Sequence, residues 1–118
     1  MQQYYRVIAG DLGIYRAVLQ DCPRGDKRRK DKPKEDWMTH VGDEFPECHS
    51  YWTAWGMNQY LLSGMLAWQS RVVSAPVHIL TFDEPKTIKY RDALQVLALP
   101  EEPVAKKTID DFLHAFWS

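Results

Sequence analysis

The side chains able to do chemistry are few and scattered. Arg6 lies in a run of β-branched and aromatic residues, Tyr4-Tyr5-Arg6-Val7-Ile8-Ala9. A guanidinium there can clamp a phosphate bidentately, or stand on an exposed strand face and pair with a neighbouring acid. Its alternation with Tyr5 and Val7 favours the second. Ser50 and Thr53 carry hydroxyls that can line a pocket or cap a helix, and capping explains both residue types without a ligand. His49 and His78 titrate in the range useful for acid–base work, but the sequence identifies no partner for either, so a satisfied or solvent-facing histidine is the simpler reading. Cys22 and Cys48 are too far apart to form a Cys-x-x-Cys pair, and His40 and His49 supply neither the spacing nor the fourth ligand of a metal site. Free thiols and no bound metal are expected. No glycine-rich phosphate loop or nucleophile elbow occurs.

The chain that must position these residues has 118 residues, 45% of them hydrophobic and 26% charged, with a formal net charge of −1. That composition fits one compact domain over residues 1–118. No apolar run approaches the roughly 18 residues of a membrane span, and the first residues lack a secretory pattern, so a cytoplasmic protein without membrane contact is expected. Charge is unevenly placed. Residues 24–34 carry +5, leaving −6 for the rest of the chain. With no apolar residue inside it, this run reads as a mobile basic loop at about 24–36, and Lys27, Arg28, Arg29 and Lys30 are its candidates for contact with an acidic partner. Nucleic acid is the weaker option, because a pI near 6.4 lacks the general basic footprint of such binders.

Composition and spacing predict the elements. Residues 4–9 form a strand stopped at Gly10. A helix follows, capped by Asp11, with Leu12, Tyr15, Val18 and Leu19 on its apolar face, and ends at Cys22-Pro23. Residues 37–47 read as a long loop. A short strand at 49–52 feeds a helix capped by Ser50 or Thr53, apolar over more than one face, in which Gly64 marks a break or the close approach of another backbone. Strands follow at 77–82, 87–90 and 94–99. A last helix opens at Thr108, with Ile109, Phe112, Leu113 and Phe116 on one side. The predicted class is α+β, a single domain with a small, mostly antiparallel sheet and two or three helices.

This order of elements, with Tyr5-Arg6 on the first strand, Ser50-x-x-Thr53 opening a helix and Tyr90-Arg91-Asp92-Ala93-Leu94-Gln95-Val96-Leu97 near a later strand, resembles small ADP-ribosyltransferase-like domains. The resemblance implies that Arg6 would hold a nicotinamide dinucleotide (NAD) and that Ser50 and Thr53 would support the pocket. Gln95 falls where the family places a glutamate. An amide brings no negative charge to stabilise a ribosyl cation, and Asp92, three residues earlier, would face the other side of a regular strand. The chain also resembles short proteins carried by phages and mobile elements.

Two functions are therefore expected. The first is a non-catalytic protein-binding module of phage or mobile-element type, needing no cofactor and meeting a protein partner through Trp52, Trp55 and the basic run. Trp and Tyr dominate such contact surfaces, and the set Tyr51, Trp52, Trp55, Tyr60 and Trp68 is too large to be wholly buried in so small a domain. The alternative is an ADP-ribosyltransferase-like NAD-binding enzyme or its inactive descendant, with Arg6, Ser50, Thr53 and Gln95 around the dinucleotide. The absent carboxylate favours the first.

Overall fold

A computed structural model describes residues 2–118. Seven strands form one antiparallel sheet, joined by four α-helices. In chain order these are β1 (Tyr4–Ala9), β2 (Leu12–Gly13), α1 (Ile14–Asp21), β3 (His49–Trp52), α2 (Ala54–Leu62), α3 (Met65–Val72), β4 (Val77–Phe82), β5 (Ile88–Arg91), β6 (Gln95–Ala98), β7 (Ala105–Thr108) and α4 (Ile109–Phe116). The strand order across the sheet is β5-β6-β3-β1-β4-β7, with β2 folded back on β1. The α+β class is as predicted. The helix count rises to four because Gly64, at φ +82°, stops α2 and starts α3.

Alternation along the strands sorts side chains into two layers. Tyr5, Val7, Ala9, Trp52 and Ile79 face the helices, where Ile14, Val18, Met57, Met65, Trp68 and Phe112 complete the main core. Tyr4, Tyr51, Phe82, Val96 and Ala98 form a smaller core on the other face. Thr53 caps α2, its Oγ1 accepting from the Gly56 amide at 3.0 Å and donating to the Ala93 carbonyl at 2.7 Å. Gly56 is where backbone comes close, since a Cβ there would lie 1.8 Å from the Leu94 carbonyl oxygen.

Three expectations about local structure change. Gly10, at φ +59°, turns the chain back so that Leu12 and Gly13 pair with β1, and α1 opens at Ile14 without a side-chain cap from Asp11. The helix consequently buries Ile14, Ala17 and Val18, while Tyr15 and Leu19 are exposed. The basic run is not structureless: Lys27–Asp31 is a 3-10 helix capped by Asp26, which accepts from the Arg28 amide at 2.8 Å. Arg28 and Arg29 donate to the carbonyls of Asp21 and Cys22, and the Trp68 indole donates to the Arg28 carbonyl. The run lacks apolar side chains, and polar bonds to main-chain oxygens dock it instead. Both cysteines are free thiols. Among the described residues, no helix is long and apolar enough to cross a membrane.

Candidate functional site: a cleft where the sheet parts

Strand β1 pairs with β4 along its whole length, from Tyr4 opposite Phe82 to Ala9 opposite Val77. On its other side it meets β3 at one position, Tyr5 opposite Trp52. Beyond that bridge β1 takes β2 as its partner, β3 continues along β6, and the sheet opens. A cleft of about 680 Å³ occupies the opening, within the range of small-molecule sites. Alternation explains its mixed lining. Arg6 and His49 come from one face of the sheet, Ser50, Trp52 and Gln95 from the other, and both sets reach the same space because no ladder separates them. The start of α1 and residues 38–43 supply the remaining walls.

Arg6 is the distinctive group. Its guanidinium lies against Gly13, where an added Cβ would come within 2.9 Å of its terminal nitrogen. Gly13 is thus a cradle that a larger residue would fill. The chain's ion pairs are Arg28 with Asp26, Lys32 with Glu35 and Arg91 with Glu84, so among the described residues Arg6 has no carboxylate partner. Burial pulls its pKa below the ordinary arginine value, an effect the Tyr51 hydroxyl partly offsets, yet an arginine keeps its proton at neutral pH. Burial also lowers the pKa of His49, and the charge on Arg6 adds to that, so the site favours the neutral imidazole.

Gln95 is 3% exposed, and both ends of its amide are used. The Ser50 hydroxyl donates to its Oε1 at 3.2 Å, and its Nε2 donates to the Thr39 carbonyl at 2.6 Å. Asp92 lies in the turn before β6, accepting from the backbone amides of Leu94 and Gln95 at 2.8 and 2.9 Å and from the Tyr90 hydroxyl at 2.8 Å. Those three donors offset its burial and hold its pKa below the usual aspartate value. Its carboxylate serves the turn and does not replace the missing glutamate. Asp11 and Asp43 also line the cleft, both from exposed positions.

Arg6, Ser50 and Gln95 therefore share one site, and Thr53 does not line it. Trp52 is corrected as a partner contact. It is 6% exposed, stacked on Tyr60 at 5.2 Å and packed by Trp37 at 5.7 Å, and it only edges the cleft. Trp55, in contrast, is 70% exposed. Sequence reasoning missed Gly13, Tyr15 and residues 38–43 as cleft walls. The signal for the first two is the turn at Gly10-Asp11, where Asp11 reads as a helix cap; residues 38–43 lie in the stretch that reads only as a long loop. No protein-family model, curated protein or solved structure matches the chain.

Proposed function

We propose that the chain is a non-catalytic binding domain whose cleft takes a phosphate-bearing ligand of the nucleotide class. The observation that carries this reading is Arg6, a cation without an ion-pair partner among the described residues, partly desolvated and seated on Gly13 at the parting of β1 and β3. A phosphate would supply the counter-charge the fold withholds, through the fork of donors that a guanidinium presents. Tyr15, Met38 and the edge of Trp52 offer apolar surface for a flat ring beside it. The resemblance to ADP-ribosyltransferase-like domains makes NAD the first ligand to test. The amide at Gln95 supports binding without turnover, because a developing ribosyl cation would meet no fixed carboxylate there.

The test is a titration with NAD followed through Trp fluorescence, since Trp52 borders the cleft and Trp37 packs on it. Saturable quenching is expected, with affinity reduced about tenfold or more in Arg6→Ala, the loss typical of a hydrogen-bonded charge. Gly13→Ala should weaken binding too, by pushing the guanidinium aside. No nicotinamide should be released. A flat titration with NAD, inorganic pyrophosphate and adenosine diphosphate would defeat the proposal.

A second reading, protein binding, is favoured by a different surface. Trp55 and Leu62 project from the outer side of α2, and Trp117, 53% exposed, donates from its indole to Asn58 on the same helix at 3.2 Å. Clustered exposed aromatics of this kind mark contact surfaces. A protein partner retained by the wild type and lost in Leu62→Asp, at unchanged melting temperature, would support it. Retention by both would reject it.

A further inference from the structure

The cleft has one wall that is not part of the sheet or the helices. Residues 36–47 run past the opening as turns and a short 3-10 helix, Gly42–Glu44, and their other backbone bonds are local, joining Met38 to Glu35, Glu44 to Val41, Phe45 to Gly42 and, at the end next to β3, Cys48 to Phe45. The Trp37 indole bonds just upstream, to the Lys34 carbonyl. Hydrogen bonding to the sheet passes through Thr39. Its carbonyl accepts from Gln95, and its hydroxyl lies beside that of Tyr90. The remaining ties are ring contacts, Trp37 on Trp52 and Phe45 toward Tyr90 at 6.2 Å.

We propose that Gln95 is the positioning residue of the cleft: its buried amide pins the 36–47 wall to β3 and so sets the opening a ligand meets. The amide alone has the required pattern. Oε1 accepts from Ser50 on β3 while Nε2 donates to the wall, and each end is fixed because the other is occupied. A carboxylate at this position would keep the Ser50 bond but face the Thr39 carbonyl with a second acceptor. The residue that resembles a failed catalytic group is, on this account, the one that builds the site. The inference rests on the cleft being the ligand site, but its primary test needs no ligand.

Hydrogen exchange is measured on the free protein at the bonded amides of Met38, Glu44 and Phe45, with β4 and α4 as reference. Gln95→Met, near in volume and without polar atoms, should reduce protection about tenfold in the wall and leave β4 and α4 unchanged. Ser50→Ala, at an exposed residue, should give a smaller loss at the same amides, and it keeps the question open to test if the first variant does not fold. Gln95→Glu supplies a sharper readout. Near neutral pH the wall should be released. Below the titration of the introduced carboxyl its O–H can donate to Thr39, and wall protection should return. His40, His49, Asp11, Asp43, Cys48, Arg6 and Arg16 line the same cleft and Asp92 accepts from the Gln95 backbone amide, so the wild type over the same pH range sets the background. Unchanged wall protection in folded Gln95→Met, an equal loss in β4 and α4, or no recovery at low pH in Gln95→Glu would each overturn the proposal. If the wall responds as expected while NAD fails to bind the wild type, the pinning role stands and the ligand proposal falls.

Discussion

The two sides of β1 are built from one strand and behave differently. Toward β4 every residue from Tyr4 to Ala9 has a partner, with Tyr5, Val7 and Ala9 in the main core and Tyr4 in the smaller one. Toward β3 the ladder stops at Tyr5, and residues from both faces empty into one slot. On the paired side packing determines residue type on the helix-facing layer, where Val7 opposes Ile79 and Thr81 is the one buried polar side chain, opposite Tyr5. On the parted side a strand can carry Arg6 between the core residues Tyr5 and Val7 and still open it to the cleft. The parting of the strands gives the molecule a polar site without interrupting its core.

Mutations can break or sharpen that contrast, and they should rank by it. Ile79→Ala, at a fully buried position on the paired side, should cost about 2–5 kcal/mol in denaturant unfolding, with little effect on the cleft. A cost below about 1 kcal/mol would mean that this side is less tightly packed than its pairing implies. Gly56→Ala sets a Cβ against the Leu94 carbonyl, which is backbone and cannot swing away, so a loss of about 1–3 kcal/mol is expected. Thr53→Ala removes the α2 cap and its bond to Ala93 and should cost about 1 kcal/mol.

The parted side should respond to pH more than to truncation. His49 has a folded pKa below its unfolded value, so the unfolded chain binds the extra proton first. Stability is then full above the ordinary histidine range near pH 6.5 and is lost as pH falls through the lower folded value. His49→Gln should flatten that slope. Arg6→Ala should move the imidazole titration, read by NMR, upward, while stability near pH 8 shifts by less than about 0.5 kcal/mol. The smallest effect belongs to the two lysines of the basic run. Removing Lys27 and Lys30 should stay within about 0.5 kcal/mol, whereas Arg28→Ala and Arg29→Ala should each cost more, because their side chains hold the carbonyls of Asp21 and Cys22.

Much of the fold was legible because its signals are local. The strand at Val77–Phe82 and the helix opening at Thr108 announce themselves through β-branched composition, a capping side chain and i, i+3, i+4 spacing. Strand β7 does not. Its Ala105-Lys106-Lys107-Thr108 has little strand propensity and exists because β4 offers an unpaired edge. The same limit hid the cleft. Arg6, Ser50 and Gln95 could be named from their types and places, but where β1 and β3 stop pairing depends on the return of β2 and the path of α1. Trp52 shows the converse. Its identity suited a surface, and only the packing of Tyr60 and Trp37 shows that it belongs to the interior.

The outer strands carry a consequence for life in a crowded solution. A sheet with free borders invites another sheet to add itself, and this one ends in β5 and β7. Both borders are short and cationic, with Lys89 and Arg91 on one and Lys106 and Lys107 on the other. Two such borders repel each other before their backbones can meet. Lysines and arginines on short outer strands thus set a like charge where another sheet would have to add itself, and so disfavour edge-to-edge growth.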